Sequence, residues 1–313
     1  MKCYLCNNNN LKTITIGTDY EYKTTLRDIH YYQCEKCSHI FQEPMPSLSE
    51  ISLMYDSNYY TINSQSPLFL KGFIYSYKVK SDVNKIVRIA KIHKESSVMD
   101  IGCGDCSRLF RLRDIFGDKI VLTGVDLNFT EEVKRKAISN NINLIKLNIE
   151  SDPPKIFDNT FDLIVMSQLI EHLKEPKNTL NRIKSMLSKN GNILIETPSS
   201  SGLDYLFFKK AYWGGYHIPR HLHIFSKNSL SFLVRQQNMK IKQQRYLPSP
   251  GFWIISLRNY LGLNSISKSK SMFEFLNFSN FIVIGAFVLI DLLMILLGLG
   301  TSNQQILITK RNN

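Results

Sequence analysis

The sequence predicts an α/β fold: a parallel sheet wound on both faces by helices, a small metal-bound piece in front, and an apolar helical insertion before the last strand. Three observations predict it. From Ser97 onward, short β-branched runs alternate with amphipathic stretches, the pattern of a parallel sheet covered by helices. Cys3 with Cys6, and Cys34 with Cys37, form two C-x-x-C pairs, a spacing that suits four thiolates around one Zn²⁺. An apolar run over 281–300 precedes the strand-like QQILITK.

The chain of 313 residues is 43% hydrophobic and 21% charged, which excludes disordered and collagen-like classes. Its 39 Lys and Arg against 26 Asp and Glu give +13, unevenly spread: +4 over 1–94, −1 over 95–200 and +10 over 201–313. The last third is therefore expected to meet a polyanion or an anionic membrane surface. Six cysteines in a chain this long do not make a disulfide scaffold. The start, MKCYLC, carries no apolar signal segment, so reduced thiols and a cytoplasmic location are expected, with peripheral membrane contact.

Residues 1–45 are read as a zinc-ribbon-like domain. ITIGTDY and IHYYQC read as short strands and Asn7–Asn10 as a turn. So small a piece has little core, and structural zinc held by Cys3, Cys6, Cys34 and Cys37 would supply much of its stability. Four thiolates leave no open coordination position, so this metal is assigned no catalysis. His39 is expected at the surface. Residues 46–94 form a linker, with a tyrosine-rich LMYDSNYY, and a helix in which Phe73, Ile74, Tyr77, Val83, Ile86, Val87 and Ala90 recur at helical spacing.

Residues 95–250 carry the sheet. SVMDIG, IVLTGVD, INLIKLN, FDLIVMS and GNILIET read as strands, with FTEEVKRKAISN and PKNTLNRIKSML as helices between them. The first turn reads Asp100-Ile-Gly-Cys-Gly-Asp-Cys106. Gly102 and Gly104 permit a sharp turn and close ligand approach. Asp126 ends the second strand, where a carboxylate can accept hydroxyl hydrogens from a ribose. A dinucleotide site wants G-x-G-x-x-G, but the sixth position is Ser107. A carboxylate just before the glycines would repel phosphate and suit an ammonium group. S-adenosylmethionine has that ammonium, a ribose and no phosphate, so charge favours it over NAD.

MDIGCGDC, GVDLN, LNIE, FDLIVMSQLIEHL and KNGNILIETPS, in this order, resemble the successive motifs of class I S-adenosylmethionine-dependent methyltransferases. The resemblance covers about residues 95–245 and the final strand, and implies a Rossmann-like sheet. WGGYHIPRHLHIFS and the N-terminal cysteines resemble a subgroup linked to polysaccharide, sugar and secondary-metabolite synthesis. The resemblance implies that Asp100, Gly102 and Gly104 contact the methionine part of the cofactor and that Asp126 holds the ribose. It sets Leu127 against the adenine, Asn148 and Ile149 beside it, and Ser167 and Gln168 at the sulfonium end. Two departures stand out: Cys106 occupies a common glycine position, and Asn148 replaces the commoner aspartate. Cys103 and Cys106 form a third C-x-x-C, read as chance.

Methyl transfer from a sulfonium is an in-line displacement governed by alignment. A hydroxyl or acidic carbon acceptor also needs a base. His172, in QLIEHL, and His221, in YHIPRHLHIFS, are the candidate catalytic residues; His217 and His223 read as surface or packing residues. Glu171 has no assigned role between the cofactor and His172. Tyr212, Trp213 and Tyr216 read equally as acceptor wall or core. Asp152–Pro154 is read as an ordinary loop, which counts against planar amide acceptors.

Residues 251–300 form a basic, apolar helical insertion and 301–313 the final strand and tail. The run at 281–300 contains one charge, Asp291. A bilayer crossing there would strand the last strand on the far side, so contact with an anionic membrane surface, or burial in protein, is expected instead. The expected activity is methyl transfer to a small-molecule, sugar, or lipid- or nucleotide-linked glycan acceptor. An RNA methyltransferase is the alternative; nucleic acid is the less favoured partner because Arg27 is the ribbon's only arginine. A non-catalytic cofactor-binding module is the second alternative, disfavoured by the complete Asp100, Gly102, Gly104 and Asp126 set.

Overall fold

The computed structural model describes residues 1–25, 27–47, 50, 69–152, 160–262, 275–278 and 280–311, with side chains of the first helix described from 76. The readings made above for LMYDSNYY, Pro153 and Pro154 lie outside the described residues, as do the side chains of Phe73 and Ile74.

In chain order the elements begin with β1 (Leu11–Gly17), β2 (Ile29–Cys34) and β3 (Ile40–Glu43), then helix α1 (Phe69–Ala90). Next come β4 (Ser97–Ile101), α2 (Ser107–Phe116), β5 (Val121–Asp126), α3 (Glu131–Ser139) and β6 (Asn143–Lys146). β7 (Phe161–Ser167), α4 (Pro176–Ser185), β8 (Leu187–Pro198) and α5 (Leu203–Phe208) follow. The chain continues through β9 (His223–Ile224), α6 (Lys227–Gln236), β10 (Met239–Leu247), α7 (Pro250–Tyr260), α8 (Phe281–Leu296) and β11 (Asn303–Lys310).

Two sheets form. One has the order β10-β11-β8-β7-β4-β5-β6, the other β1-β2-β3-β9. In the larger, β8, β7, β4, β5 and β6 run parallel, as the strand–helix alternation requires. Local chemistry sets the helix starts. Thr130 caps α3 by accepting from the Val133 amide, and Pro176 opens α4, where a missing N–H costs nothing.

The chain divides into two compact units. The second comprises Ser66–Glu196, Val234–Gln243 and Ile306–Asn313. Its core joins Val98, Leu122, Leu163 and Val165 of the sheet to Leu109 and Leu112 of α2, Val133 and Ala137 of α3, and Val83 and Ile86 of α1, all buried. Gly124 is required here: an added Cβ would meet Cys103 Sγ at 2.9 Å and Leu144 Cδ2 at 3.0 Å.

The first unit comprises Met1–Gln65, Thr197–Leu233 and Gln244–Gln305. Its antiparallel sheet takes its fourth strand from far along the chain, with Ile40 paired to Ile224 and Phe41 to His223. The units are thus built from separated stretches, whereas the segments drawn from sequence were contiguous. Tyr31, Ile40, Trp213, Tyr216 and Ile224 form its core. Tyr31 donates its buried hydroxyl to the His221 carbonyl at 2.8 Å. Arg220 is fully buried, 3.4 Å from Asp19 and 4.2 Å over the Tyr22 ring.

One expectation is corrected. His39 is not at the surface: it is 0% exposed, its Nε2 lies 2.9 Å from His223 Nδ1, and its ring packs on Phe41 and Phe225. The β3–β9 pairing buries it, and no feature near Cys37 foretells a partner 184 residues away.

Candidate functional site

The residues singled out in the second unit collect at the C-terminal ends of its parallel strands, where ligands bind in open α/β sheets. Asp100 is paired in register with Gly124 and Val165, and Asp126 with Lys146. Gly102 and Gly104 follow β4, Leu127 follows β5, Asn148 and Ile149 follow β6, and Ser167 and Gln168 end β7.

The loop after β4 needs its glycines. Gly102 and Gly104 have φ of +72° and +54°, in the left-handed region that favours glycine. An added Cβ at Gly102 would meet Leu169 Cδ1 at 3.3 Å, while at Gly104 no atom of the described residues lies within 4 Å. That open face is where a ligand can approach the backbone. Cys106 is also left-handed, at φ +58°, and starts α2. Its buried sulfur lies 3.5 Å from Cys103 Sγ. A side chain therefore fits where a third glycine is common, because it turns into the core.

Five of the loop's amides are already engaged. Gly102 and Cys103 donate to the Val125 carbonyl and Cys106 to the Cys103 carbonyl. The Gly104 amide donates to Asp126 Oδ2 at 2.9 Å, and Ser107 donates to Asp105 Oδ1. A pyrophosphate cradle needs such donors pointing at the ligand; this loop spends them internally.

Carboxylates dominate what remains. Asp100 is 1% exposed; Oδ2 accepts from Arg108 Nη1 at 2.6 Å, while the buried Oδ1 has no hydrogen-bond partner among the described residues. Burial pushes its carboxyl upward against the pull of Arg108. Asp126 is raised by burial against the amides of Gly104, Leu127 and Asn128, and Asp82 by burial and then by the charge of Glu196. A buried carboxylate oxygen left without a partner beside its ion pair suits a cationic ligand. The orphaned Oδ1 of Asp100 and the open face of Gly104 fit the ammonium and backbone-close part of S-adenosylmethionine.

Around this cradle, Leu127 is half exposed beside Asp126, and its amide donates to Asp126 Oδ1 at 2.7 Å. Asn148 uses its side-chain oxygen to accept from the Glu150 amide at 3.0 Å. Ile149 is buried and Ser167 half-buried, while Gln168 is exposed with φ +51°. His172 lies in the turn Ile170–His172 after β7. His221 belongs to the first unit, buried, with Nδ1 2.8 Å from the Gly215 carbonyl. There Trp213 and Tyr216 are core residues and Tyr212 is half-buried. Sequence reasoning missed Arg108 and Asp82. Arg108 lies in the first turn of α2, and its position there is a signal that could have suggested a partner for Asp100.

In the first unit the four sulfurs of Cys3, Cys6, Cys34 and Cys37 lie within 4.8 Å of one another. The Cys3–Cys37 and Cys6–Cys34 separations are 3.6 and 3.5 Å. Tetrahedral Zn–S bonds of about 2.3 Å require edges of about 3.8 Å, so the donor set fits zinc. A left-handed residue follows each pair, Asn7 at φ +57° and Ser38 at +58°, turning each knuckle back on itself.

Comparison with known proteins follows the same lines. A family described as "Methyltransferase domain" matches residues 75–244. The tRNA U34 carboxymethyltransferase of Actinobacillus pleuropneumoniae serotype 3 (strain JL03) is 33% identical over 112 residues, 33% of this chain and 33% of that protein. The chain thus spans about a third of the length of that curated relative. The ubiquinone/menaquinone biosynthesis C-methyltransferase of Wigglesworthia glossinidia brevipalpis is 26% identical over 197 residues, 57% of this chain and 77% of that one. Among solved structures, Burkholderia thailandensis 1,6-didemethyltoxoflavin-N1-methyltransferase shares the fold, with a TM-score of 0.50 and 14% identity over 74% of this chain and 93% of that chain.

Proposed function

Because this chain belongs to the methyltransferase-domain family, we propose that it transfers the methyl group of S-adenosylmethionine to a small-molecule, sugar, or lipid- or nucleotide-linked glycan acceptor. The observation that carries the donor is the loop after β4: five of its amides are consumed internally, and the buried carboxylate of Asp100 keeps an oxygen without a partner among the described residues. S-adenosylmethionine supplies an electrophilic methyl whose bonding electrons leave with sulfur. Asp100, Gly102 and Gly104 would hold its methionine part. Asp126, which accepts from the Gly104, Leu127 and Asn128 amides, would accept the ribose hydroxyls through its remaining lone pairs. Leu127 would cover the adenine, Asn148 and Ile149 would flank it, and Ser167 and Gln168 would border the sulfonium. His172 and His221 are the candidate residues proposed to take the acceptor's proton.

Structural zinc on Cys3, Cys6, Cys34 and Cys37 belongs to this reading, as does contact of residues 251–300 with an anionic membrane surface. A ubiquinone/menaquinone C-methyltransferase among the relatives supports a small-molecule acceptor. A second reading, methylation of RNA, is favoured by the tRNA U34 carboxymethyltransferase relatives. Against it, Arg27 is the ribbon's only arginine.

Radiolabelled methyl transfer into fractionated cell extract tests the acceptor. Label in the lipid or glycan fraction is the expected outcome. Label confined to RNA would overturn the acceptor class, and no label in any fraction would overturn the activity.

A further inference from the structure

Helix α8 is inside out. Its sixteen residues carry one charge, Asp291, and that side chain faces the protein at 2% exposure. Oδ1 accepts from Trp253 Nε1 at 3.0 Å and Oδ2 from the Ser249 amide at 2.6 Å. The carboxylate thereby caps the start of α7 from outside, where the helix dipole favours negative charge. The leucines point the other way: Ile282 and Leu296 are each 82% exposed, Leu289 68% and Leu293 56%. An ordinary surface helix shows the reverse arrangement.

The apolar face does not stop at α8. Trp253 of α7 stacks on Phe287 of α8 at 5.2 Å between ring centroids and meets Phe207 of α5 at 6.4 Å. α5 adds Leu206 and Phe207, both exposed, and Lys209 and Lys210 follow directly, also exposed. Three elements of one unit thus present a connected apolar face with cations at its edge. Monomeric proteins rarely leave so much contiguous apolar surface in water.

Charge selects the occupant. Among the described residues from 201 to 311, the acidic side chains are Asp204 and Asp291, and both are buried, whereas Lys209 and Lys210 reach solvent. An apolar face rimmed by lysines and stripped of exposed carboxylates complements an anionic lipid surface. Length decides how the helix lies. Sixteen residues rise about 24 Å, short of a hydrocarbon core of about 30 Å. No helix among the described residues is long and apolar enough to cross a membrane.

We propose that α5, α7 and α8 form a monolayer-docking face. In this arrangement α8 lies flat among the headgroups of an anionic leaflet, Leu289 and Leu293 enter the acyl layer, and Lys209 and Lys210 meet lipid phosphates. The proposal rests on the membrane contact included in the reading above and names the surface that makes it. Asp291 stays on the protein side, holding α8 to α7 so that the helix docks as a rigid part of the unit.

The test is flotation of the full chain with phosphatidylcholine vesicles and with vesicles containing phosphatidylglycerol, at low and high salt. Wild type is expected to float with the anionic vesicles and to be released by salt. Leu289→Glu/Leu293→Glu should lower that binding about tenfold or more, and Lys209→Glu/Lys210→Glu should remove the preference for anionic lipid. Calorimetric S-adenosylmethionine affinity, expected to be unchanged in both double variants, separates loss of docking from loss of fold. If wild type floats and Leu289→Glu/Leu293→Glu floats equally well, the assignment of this face is overturned while membrane contact stands. If wild type stays with the soluble fraction, both fall. A wild-type dimer that the leucine substitutions dissociate would identify a second copy of the chain as the occupant and overturn the lipid assignment.

Discussion

The backbone amides of Gly104, Leu127 and Asn128 converge on the carboxylate of Asp126, and the ion pair with Arg108 holds the buried Asp100. These contacts fix both acids at the ends of β4 and β5. Both positions were legible in the sequence, because an acid-glycine turn between a β-branched run and a helix has few other structural uses. The burial of His39 was not, since its partner His223 is set by a tertiary contact. A third buried acid, Asp204, offers a test of the energetics at this scale. Burial pushes it up from an ordinary 3.8 to about 6, although Ser302 Oγ and Trp213 Nε1 donate to it. The native state therefore binds its proton more tightly than the unfolded chain does. That stabilisation, on the order of 3 kcal/mol, is full below 3.8 and lost as pH rises through about 6. Relative to wild type, Asp204→Asn should gain stability across that window in denaturant titrations. Parallel curves for the two proteins would contradict the account.

At the scale of elements, the alternation of strand and helix from β4 to β8 announced itself through hydrophobic periodicity, and the structure follows that order. β9 escaped because two residues carry no period, and its pairing with β3 is set by the fold. Metal dependence belongs at this scale too. The two knuckles are joined by strands β1 and β2 and by four sulfurs at zinc-like separations. Four ligands closing one ion add folding free energy directly. Freshly purified reduced protein is expected to contain one zinc per chain by metal analysis, and Cys34→Ser to contain none and to melt at lower temperature. A metal-free wild type that melts where the zinc-loaded protein does would remove zinc from the account.

For the whole molecule, the net charge of +13 conceals an arrangement in which sign follows task. Acids crowd the turn after β4, while the exposed described charges near α5 are lysines. The split of charge between the middle and last thirds was readable from composition. The two units were not, because each gathers stretches more than a hundred residues apart, and contiguous reading cannot see such returns. The acidic turn carries the central claim, that this crevice receives a phosphate-free nucleoside cation. Calorimetric titration of wild type and Asp126→Ala with S-adenosylmethionine, and of wild type with NADH, tests it most directly. Wild type is expected to bind S-adenosylmethionine saturably, with a dissociation constant between about 1 μM and 1 mM, weakened about tenfold or more in Asp126→Ala. NADH is expected to give no heat. Equal affinity in the two proteins, or NADH binding in competition with S-adenosylmethionine, would contradict this claim.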